Sequence, residues 1–355
     1  MIIRFIFLIS VLVVPFLSKS THIKGGEIKV ERISSSTLTY RITVIGYSDL
    51  GSTVGFGGGT INMGDGNSFD IIDLVETDPT FTVIDDELGF NSWEFEYTYS
   101  GSGSYVIGYS EQNRNSGVVN MDNSIDTPFY TESTFVIDPS IGENSPPYFL
   151  IQPNFDANTY TRYLSSHLAY DADGDSLSYE LEAPKSRYDR QVDNYRFPNA
   201  LPFYPNFSAG NQDQNGPPAF VISDDGTLSW DAPGMMGEYA VVVTVSEWRE
   251  ISGEWELLSS VSRDFSIIVE DSGLPGPEPL GVQEELTDGI KIYPNPFVTE
   301  FNFEPESRDK TYWLFDLTGK KWGQIQPGIN DFSHLPKGIY IVKWNKRQAI
   351  RIVKN

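Results

Sequence analysis

Glu27-Ile-Lys-Val-Glu-Arg-Ile33, then Ser34-Ser-Ser36, then Leu38-Thr-Tyr-Arg-Ile-Thr-Val-Ile45 is the stretch that decides the fold. Successive side chains of a strand leave opposite faces, so period-two alternation gives one buried and one wetted face. Two such runs around a short polar turn predict an antiparallel hairpin. Working outward, further strands are predicted at Phe69–Leu74, Phe81–Ile84, Trp93–Tyr99, Ser104–Tyr109 and Ser133–Ile137. Aromatic residues make up 14% of the chain, and turns rich in Gly and Asn are frequent, a composition that favours strands. No long helical periodicity and no regular repeat occur. The expected class is all-β, built as tandem β-sandwiches.

The 355 residues are enough for two or three domains. Met1-Ile-Ile-Arg4, the apolar run Phe5 to Leu17 and the small residues Ser18-Lys-Ser20 have the layout of a secretory signal peptide over residues 1–20. The apolar run is short for a membrane span, and no second run of spanning length follows, so no stable membrane span is expected. There is no cysteine, which excludes disulfides, thiol catalysis and Cys-ligated zinc. The net charge is −24 and uneven. From Asp288 onward 11 basic residues face 7 acidic ones, a balance of +4, which leaves 14 basic against 42 acidic, −28, for the rest. Such an acidic body argues against nucleic acid and anionic membranes as partners. It suits an extracellular protein and could concentrate divalent cations. Pro139-Ser-Ile-Gly-Glu-Asn-Ser-Pro-Pro147 reads as a linker, placed at 139–146 between bodies at 21–138 and 147–271. Asp271-Ser-Gly-Leu-Pro-Gly-Pro-Glu-Pro-Leu280 opens a second, extended linker over 272–287.

Four stretches carry resemblances. Tyr170-Asp-Ala-Asp-Gly-Asp-Ser-Leu-Ser-Tyr-Glu-Leu181, Ile222-Ser-Asp-Asp-Gly-Thr-Leu-Ser-Trp-Asp-Ala-Pro233, Gly237-Glu-Tyr-Ala-Val-Val-Val-Thr-Val245 and Arg263-Asp-Phe-Ser-Ile-Ile-Val269 follow one another as in the cadherin-like, dystroglycan-type immunoglobulin-like domain. That resemblance implies an Ig-like β-sandwich, with the segment 183–218 as an inserted loop. Gly64-Asp-Gly66 and the run from Tyr97 to Ile107 resemble a polycystic-kidney-disease-type (PKD) repeat, and Thr21 to Ile28 with Tyr40 to Tyr47 resembles the first β-domain of large Bacteroidetes surface proteins. At the end, Ile292-Tyr-Pro-Asn-Pro-Phe297, Leu314-Phe-Asp-Leu-Thr-Gly-Lys320 and Leu335-Pro-Lys-Gly-Ile-Tyr-Ile-Val-Lys343 resemble the C-terminal sorting domain of the type IX secretion system. On that resemblance residues 288–355 form a small β-sandwich. Pro294, Asn295, Pro296, Asp316, Gly319, Gly338 and Tyr340 carry its motif. The secretion machinery is then a partner, and the destination is the outer cell surface or the medium, by way of the periplasm.

Asp171, Asp173 and Asp175 stand at alternate positions around Gly174. Hard oxygen donors so spaced in a tight loop suit calcium, and equally suit a turn whose aspartates bond their own backbone. An EF-hand is excluded, because Leu177-Ser-Tyr-Glu-Leu181 reads as a strand where a helix should follow. The cadherin-like resemblance implies Glu143, Asn144 and Asp271 as added ligands. In the inserted loop Tyr188, Tyr195, Phe197, Phe203, Tyr204 and Phe207 could stack on sugar rings or grip a protein, or could pack the loop down. Tyr188, Tyr195, Phe203 and Tyr204 are taken as ligand-binding candidates. Of His22, His167 and His334 only His167 lies in a body domain, and no nucleophile elbow, metalloprotease motif or phosphate loop occurs. The expected role is non-enzymatic: adhesion, scaffolding or ligand binding at the surface, the ligand a protein or a glycan. The alternative is a carbohydrate-binding accessory or, further off, a glycoside hydrolase.

Overall fold

The computed structural model describes residues 23–50, 56–75, 80–84, 88–204, 211, 217–273, 290–305, 307, 310–316, 320–344 and 349–354. The expected signal peptide, His22, Phe207, Gly319 and most of the 272–287 linker lie outside them. The described chain is all-β, its only helices being short 3-10 turns.

The first eight strands are β1 (Ile23–Arg32), β2 (Thr39–Asp49), β3 (Thr60–Asn62), β4 (Ser68–Asp70), β5 (Thr80–Val83), β6 (Leu88–Thr98), β7 (Gly103–Glu111) and β8 (Phe129–Ile137). The opening hairpin forms as predicted, Ile28 opposite Val44 and Val30 opposite Ile42. Those four side chains are fully buried, while the intervening Lys29 and Thr43 are only partly so. The predicted strand Phe69–Leu74 ends early. After Asp70 the chain takes a 3-10 turn, Ile71–Asp73, that puts Ile71 in the core.

Next come β9 (Tyr148–Phe149), β10 (Asp156–Asn158), β11 (Tyr163–Ser166), β12 (Ala169–Tyr170), β13 (Ser176–Glu182), β14 (Lys185–Arg187), β15 (Arg190–Gln191), β16 (Phe220–Ile222), β17 (Thr227–Trp230), β18 (Gly237–Ile251) and β19 (Glu254–Glu270). The inserted segment 183–218 is therefore not plain loop: it contains the β14–β15 hairpin and a 3-10 turn at Leu201–Phe203.

Strand β19 joins the halves. One edge pairs with β18 along almost its whole length. The other edge takes β8 at Ser259–Val261, β1 at Arg263–Phe265 and β10 at Ile268–Glu270. The linker expected at 139–146 thus separates two stretches of sequence and not two sheets, for strands on both sides of it share one 12-stranded sheet. The approach of β1 to β19 requires Gly25 and Gly26. A Cβ on Gly25 would stand 2.7 Å from the Asp264 carbonyl oxygen and 2.8 Å from the Phe265 Cβ, and one on Gly26 would be 3.2 Å from the rings of Phe56 and Phe129.

Two apolar cores flank this seam. One gathers Tyr40, Val44, Trp93, Ile107, Tyr109 and Phe135. The other gathers Trp230, Tyr239, Val243, Phe265 and Phe155, and draws in Tyr47 from β2, its ring 5.4 Å from Phe155. At the seam adjacent β19 residues bury opposite charges on opposite faces. Arg263 is fully buried, bonded to Glu27 Oε2 of β1 and, through Nη1, to the Ile151 carbonyl at 2.7 Å, with its guanidinium 3.9 Å from the Phe149 ring centroid. Asp264 accepts a fork from Arg114, whose Nη1 lies 2.8 Å from Oδ1.

In the tail, β20 (Lys291–Tyr293), β21 (Glu300–Glu304) and β24 (Gly328–Asp331) form one sheet, and β22 (Tyr312–Asp316), β23 (Lys321–Ile325), β25 (Gly338–Lys343) and β26 (Ala349–Lys354) another. Phe297, Phe301, Phe303, Tyr312, Leu314 and Tyr340 belong to one core there.

Removing one partner of a buried ion pair strands the other charge, at a cost of about 3–5 kcal/mol. Asp264→Ala should lower unfolding stability by about that amount in a urea titration. The double variant Asp264→Leu with Arg114→Met should regain most of the loss, whereas a double variant no more stable than the single would show that the fork is not the cause.

Candidate functional site

The loop from β12 to β13 carries the three aspartates. Gly174 takes φ +85° and tightens it. Asp171 Oδ1 accepts the backbone N–H of Asp173 at 3.0 Å and of Asp175 at 2.8 Å, so the side-chain-capped turn is real. Asp171 Oδ2, however, is buried without a hydrogen bond. Glu247, on β18, completes the group: one carboxylate oxygen from each of Asp171, Asp175 and Glu247 lies within 4.8 Å of the others. Glu247 is fully buried. Its Oε2 accepts Asn144 Nδ2 at 2.9 Å and the Ser259 hydroxyl, and its Oε1 has no hydrogen bond, the nearest cation being Arg249 Nη2 at 4.0 Å. Arg249 forks onto Asp175, its Nε 2.9 Å from Oδ1, and also donates to Asn144 Oδ1 at 2.6 Å and the Ile141 carbonyl at 2.8 Å.

The electrostatics follow from this packing. Burial, with Asp175 and Asp171 nearby, pushes Glu247 up to about 8 despite its bonds to Ser259 and Asn144. Burial likewise raises Asp171. For Asp175 burial also acts upward, but the Arg249 fork outweighs it and holds the carboxyl low. Three carboxyls against one guanidinium leave charge for a proton or a cation to neutralise. Calcium bonds oxygen at about 2.3–2.6 Å, so two ligand atoms on one ion stand at most about 5 Å apart. The 4.8 Å limit on this triad meets that geometry, and the two unpaired oxygens are hard donors of the required kind.

The other expected ligands are placed differently. Asn144 touches the triad through Glu247. Asp173 instead accepts the Ser145 N–H at 2.8 Å, and Glu143 is exposed and pairs with Arg32 at 3.7 Å. Asp271 lies beyond the opposite end of β19, about twelve residues from Ser259, or roughly 40 Å along an extended strand. The cadherin-like resemblance therefore misplaces it: a strand this long carries its two ends to opposite ends of the body. Glu247 was missed. Its signal is Val241, Val243, Val245 and Glu247 at period two, an acid on the buried face of a strand.

The loop aromatics divide. Phe203 and Tyr204 are core residues, and Tyr204 accepts the Trp230 indole N–H at 2.8 Å. Tyr195 donates to the Ala240 carbonyl at 3.2 Å and packs against the buried cluster of Val118, Met121 and Val192. Phe197 sits edge-on to it at 5.3 Å. These rings fasten the insertion. Tyr188 alone of the four candidates is strongly exposed, at 57%. It stands at the tip of the β14–β15 hairpin beside a groove of about 540 Å³ over the outer faces of β3, β4 and β7.

His167 is fully buried between Phe265 and Phe149, ring centroids 4.9 and 6.3 Å away, and neither ring nitrogen has a hydrogen bond. It is a core residue. Burial, with Arg263 adding to it, holds its pKa well below the ordinary 6.5.

The tail motif residues hold the tail together. Asn295 accepts the Val353 N–H at 2.8 Å and donates to the Arg351 carbonyl at 3.2 Å, tying the Pro294-Asn295-Pro296 segment to β26. Asp316 accepts the Lys320 N–H at 3.0 Å and the Trp322 indole at 2.9 Å. The Tyr340 hydroxyl donates to the Pro336 carbonyl at 2.8 Å, and Gly338 opens β25 in open space.

Residues 291–355 match the family model of the secretion system C-terminal sorting domain. A tail of this kind indicates handling by the type IX secretion machinery and export to the cell surface or release. No curated protein matches the chain. Among solved structures, an I-band fragment from titin is similar at 8% identity over 93% of this chain and 96% of that one, with a TM-score of 0.17. Among the described residues no helix is long and apolar enough to cross a membrane.

The depressed His167 makes an acid-side prediction. The unfolded chain gains a proton as pH falls through about 6.5 while the folded chain refuses it, so this contribution is intact above that pH and is lost below it, by up to about 1.4 kcal/mol per pH unit. Glu247, raised in the fold, works in the opposite sense, so the His167 contribution is read as a difference. From pH 6.5 to 4.5 the parent should lose stability relative to His167→Leu, and parallel stability curves would refute the assignment.

Proposed function

We propose that the exported body is a non-enzymatic ligand-binding or adhesion module working at the cell surface or in the medium. The observation that supports this reading is the groove under Tyr188. An exposed aromatic ring on a short hairpin, set over a recess within the usual ligand-pocket range of about 300–1,000 Å³, is a binding arrangement. The sorting tail supplies the delivery. The cadherin-like and PKD-like resemblances of the body agree with an adhesive role.

Two measurements test it. Deleting residues 291–355 should leave the protein inside the cell envelope in fractionation, with none in the medium or accessible to added protease on intact cells. The purified exported chain should retain cell-surface or matrix material on a column, and Tyr188→Ala should release most of it. Equal retention by both would remove the groove from the account.

A second reading concerns calcium, and the unpaired Asp171 Oδ2 and Glu247 Oε1 favour it. Asp171, Asp175 and Glu247 would hold the ion, with Asn144 orienting Glu247. Calcium bound there would pin the 139–146 segment to β18 and stiffen the body. Millimolar calcium should then raise the melting temperature by several degrees, and Glu247→Gln should abolish the rise. An unchanged melt with chelator and with calcium would eliminate the site.

A further inference from the structure

We propose that the groove under Tyr188 binds a carboxylated saccharide, with Tyr188 stacking on a sugar ring and Arg187 pairing with the carboxylate. The inference rests on the binding-module reading above and names its ligand class.

The groove floor is set by strand periodicity. On β7 the residues Tyr105, Ile107 and Tyr109 turn into the core, while Ser104, Val106, Gly108 and Ser110 line the groove. On β3 Ile61 is buried, and Thr60 and Asn62 face outward. A chain rich in rings thus presents a shelf of small side chains here, the hydroxyls and one carboxamide set around Val106 and Gly108. The backbone groups under this shelf are already engaged, β3 with β4 and β7, and β7 with β8. They offer nothing to an added strand. The side chains are partly engaged too: the Thr60 hydroxyl donates to Asp70 at 3.1 Å, the Ser68 hydroxyl donates to the Ile61 carbonyl at 3.2 Å, and Asn62 Oδ1 accepts the Gly64 N–H at 2.8 Å. What remains for a ligand is the Asn62 amide N–H groups, the lone pairs of those two hydroxyls, and the hydroxyls of Ser104 and Ser110, partners that a polyol can use.

The walls add the other two elements. Gly108 leaves room for Tyr130, whose hydroxyl would lie 2.3 Å from a Cβ at that position. Across the groove the β14–β15 hairpin holds Arg187 and Tyr188 at its tip. That hairpin is anchored at its base: Lys185 pairs with Glu132 of β8, its carbonyl accepts Arg114 Nη2 at 3.1 Å, and the Val192 N–H donates to the Pro184 carbonyl at 2.9 Å. Tyr188 is therefore an exposed ring on a fixed mount, which keeps the entropy cost of stacking low. Arg187 is exposed and has no ion-pair partner among the described residues. A free guanidinium beside an exposed ring, above hydroxyl donors and acceptors, matches a pyranose bearing a carboxylate: the C–H face on the ring, the hydroxyls on the floor, and the carboxylate in the guanidinium fork. The body is acidic overall, but at physiological salt charges more than about 8 Å away are largely screened, so the local groups decide: Arg187 as the anchor, with Asp189 beside Tyr188 and Asp70 at the β3–β4 edge as the acids that a carboxylate must avoid.

The test is calorimetric titration of the purified exported chain with galacturonate, glucuronate and sialate oligomers, beside neutral galactose and glucose oligomers. At least one acidic oligomer should bind, with its closest neutral counterpart at least tenfold weaker. Tyr188→Ala should weaken binding at least tenfold, and Arg187→Gln should erase the preference for acid. Both positions are exposed, so an unchanged melt verifies the fold of each variant, and Ser104→Trp gives an independent block from the floor. Neutral and acidic oligomers binding alike, or Tyr188→Ala binding like the parent, would overturn the proposal. If every saccharide fails while surface material is still captured through Tyr188, or an added peptide displaces that material, the ligand class is wrong and the binding reading stands. If capture fails as well, the reading falls with it.

Discussion

Arg263 and Asp264 sit next to each other on β19 and face opposite ways, each buried and each bonded to a partner from the first third of the chain. Buried charge is tolerable only when it is matched and hydrogen-bonded. Once Arg263 is committed to Glu27 on β1, and Asp264 to Arg114, the register of β1 against β19 is fixed. A slip by one residue would turn each charge toward the wrong face. Gly25 and Gly26 remove the steric obstacle to that register. The apolar cores on either side give most of the stabilisation, but they would tolerate more than one alignment, and the paired charges would not.

The groove and the acid triad depend on this seam. The insertion belongs in sequence to the second half, yet its hairpin lies against β8 of the first, held by the same Arg114 that bonds Asp264. The groove is therefore made of floor from one half and wall from the other, and it exists only because the halves are joined. The acid triad has the same character. Asp171 and Asp175 come from a loop, Glu247 from β18, and Asn144 from the segment between the halves. Through Asn144 that group is tied to the intervening segment.

The tail is a separate case. Its motif residues act within its own small sandwich, Asn295 on β26 and Asp316 on the turn into β23. The tail carries its own core, and it also buries Ile341 against Ile151 and Leu168 of the body, so its motifs are readable alone although its packing is not wholly its own.

Local pattern determined a good deal. Period-two alternation gave the strands, the opening hairpin and the all-β class, because side-chain direction in a strand depends on neighbours in sequence only. The spaced motifs gave the tail. Asp171 and Asp175 were legible as an acid turn for the same reason, since Asx bonding is local. Glu247 was not assigned, although its place on the Val243–Val245 face marked it as a buried acid, because what it would meet depends on pairing more than sixty residues away. Asp271 was assigned to the wrong end, because strand length sets distance only once the strand is known to be continuous. The loop aromatics could not be sorted by composition: Tyr188 and Tyr204 are the same residue type in the same insertion, one 57% exposed and the other 1%. Tertiary structure alone decided that the expected linker would not part the sheets and that β19 would serve both halves, because edge pairing between distant strands is chosen by buried charge and close backbone approach, neither of which leaves a periodic trace in the chain.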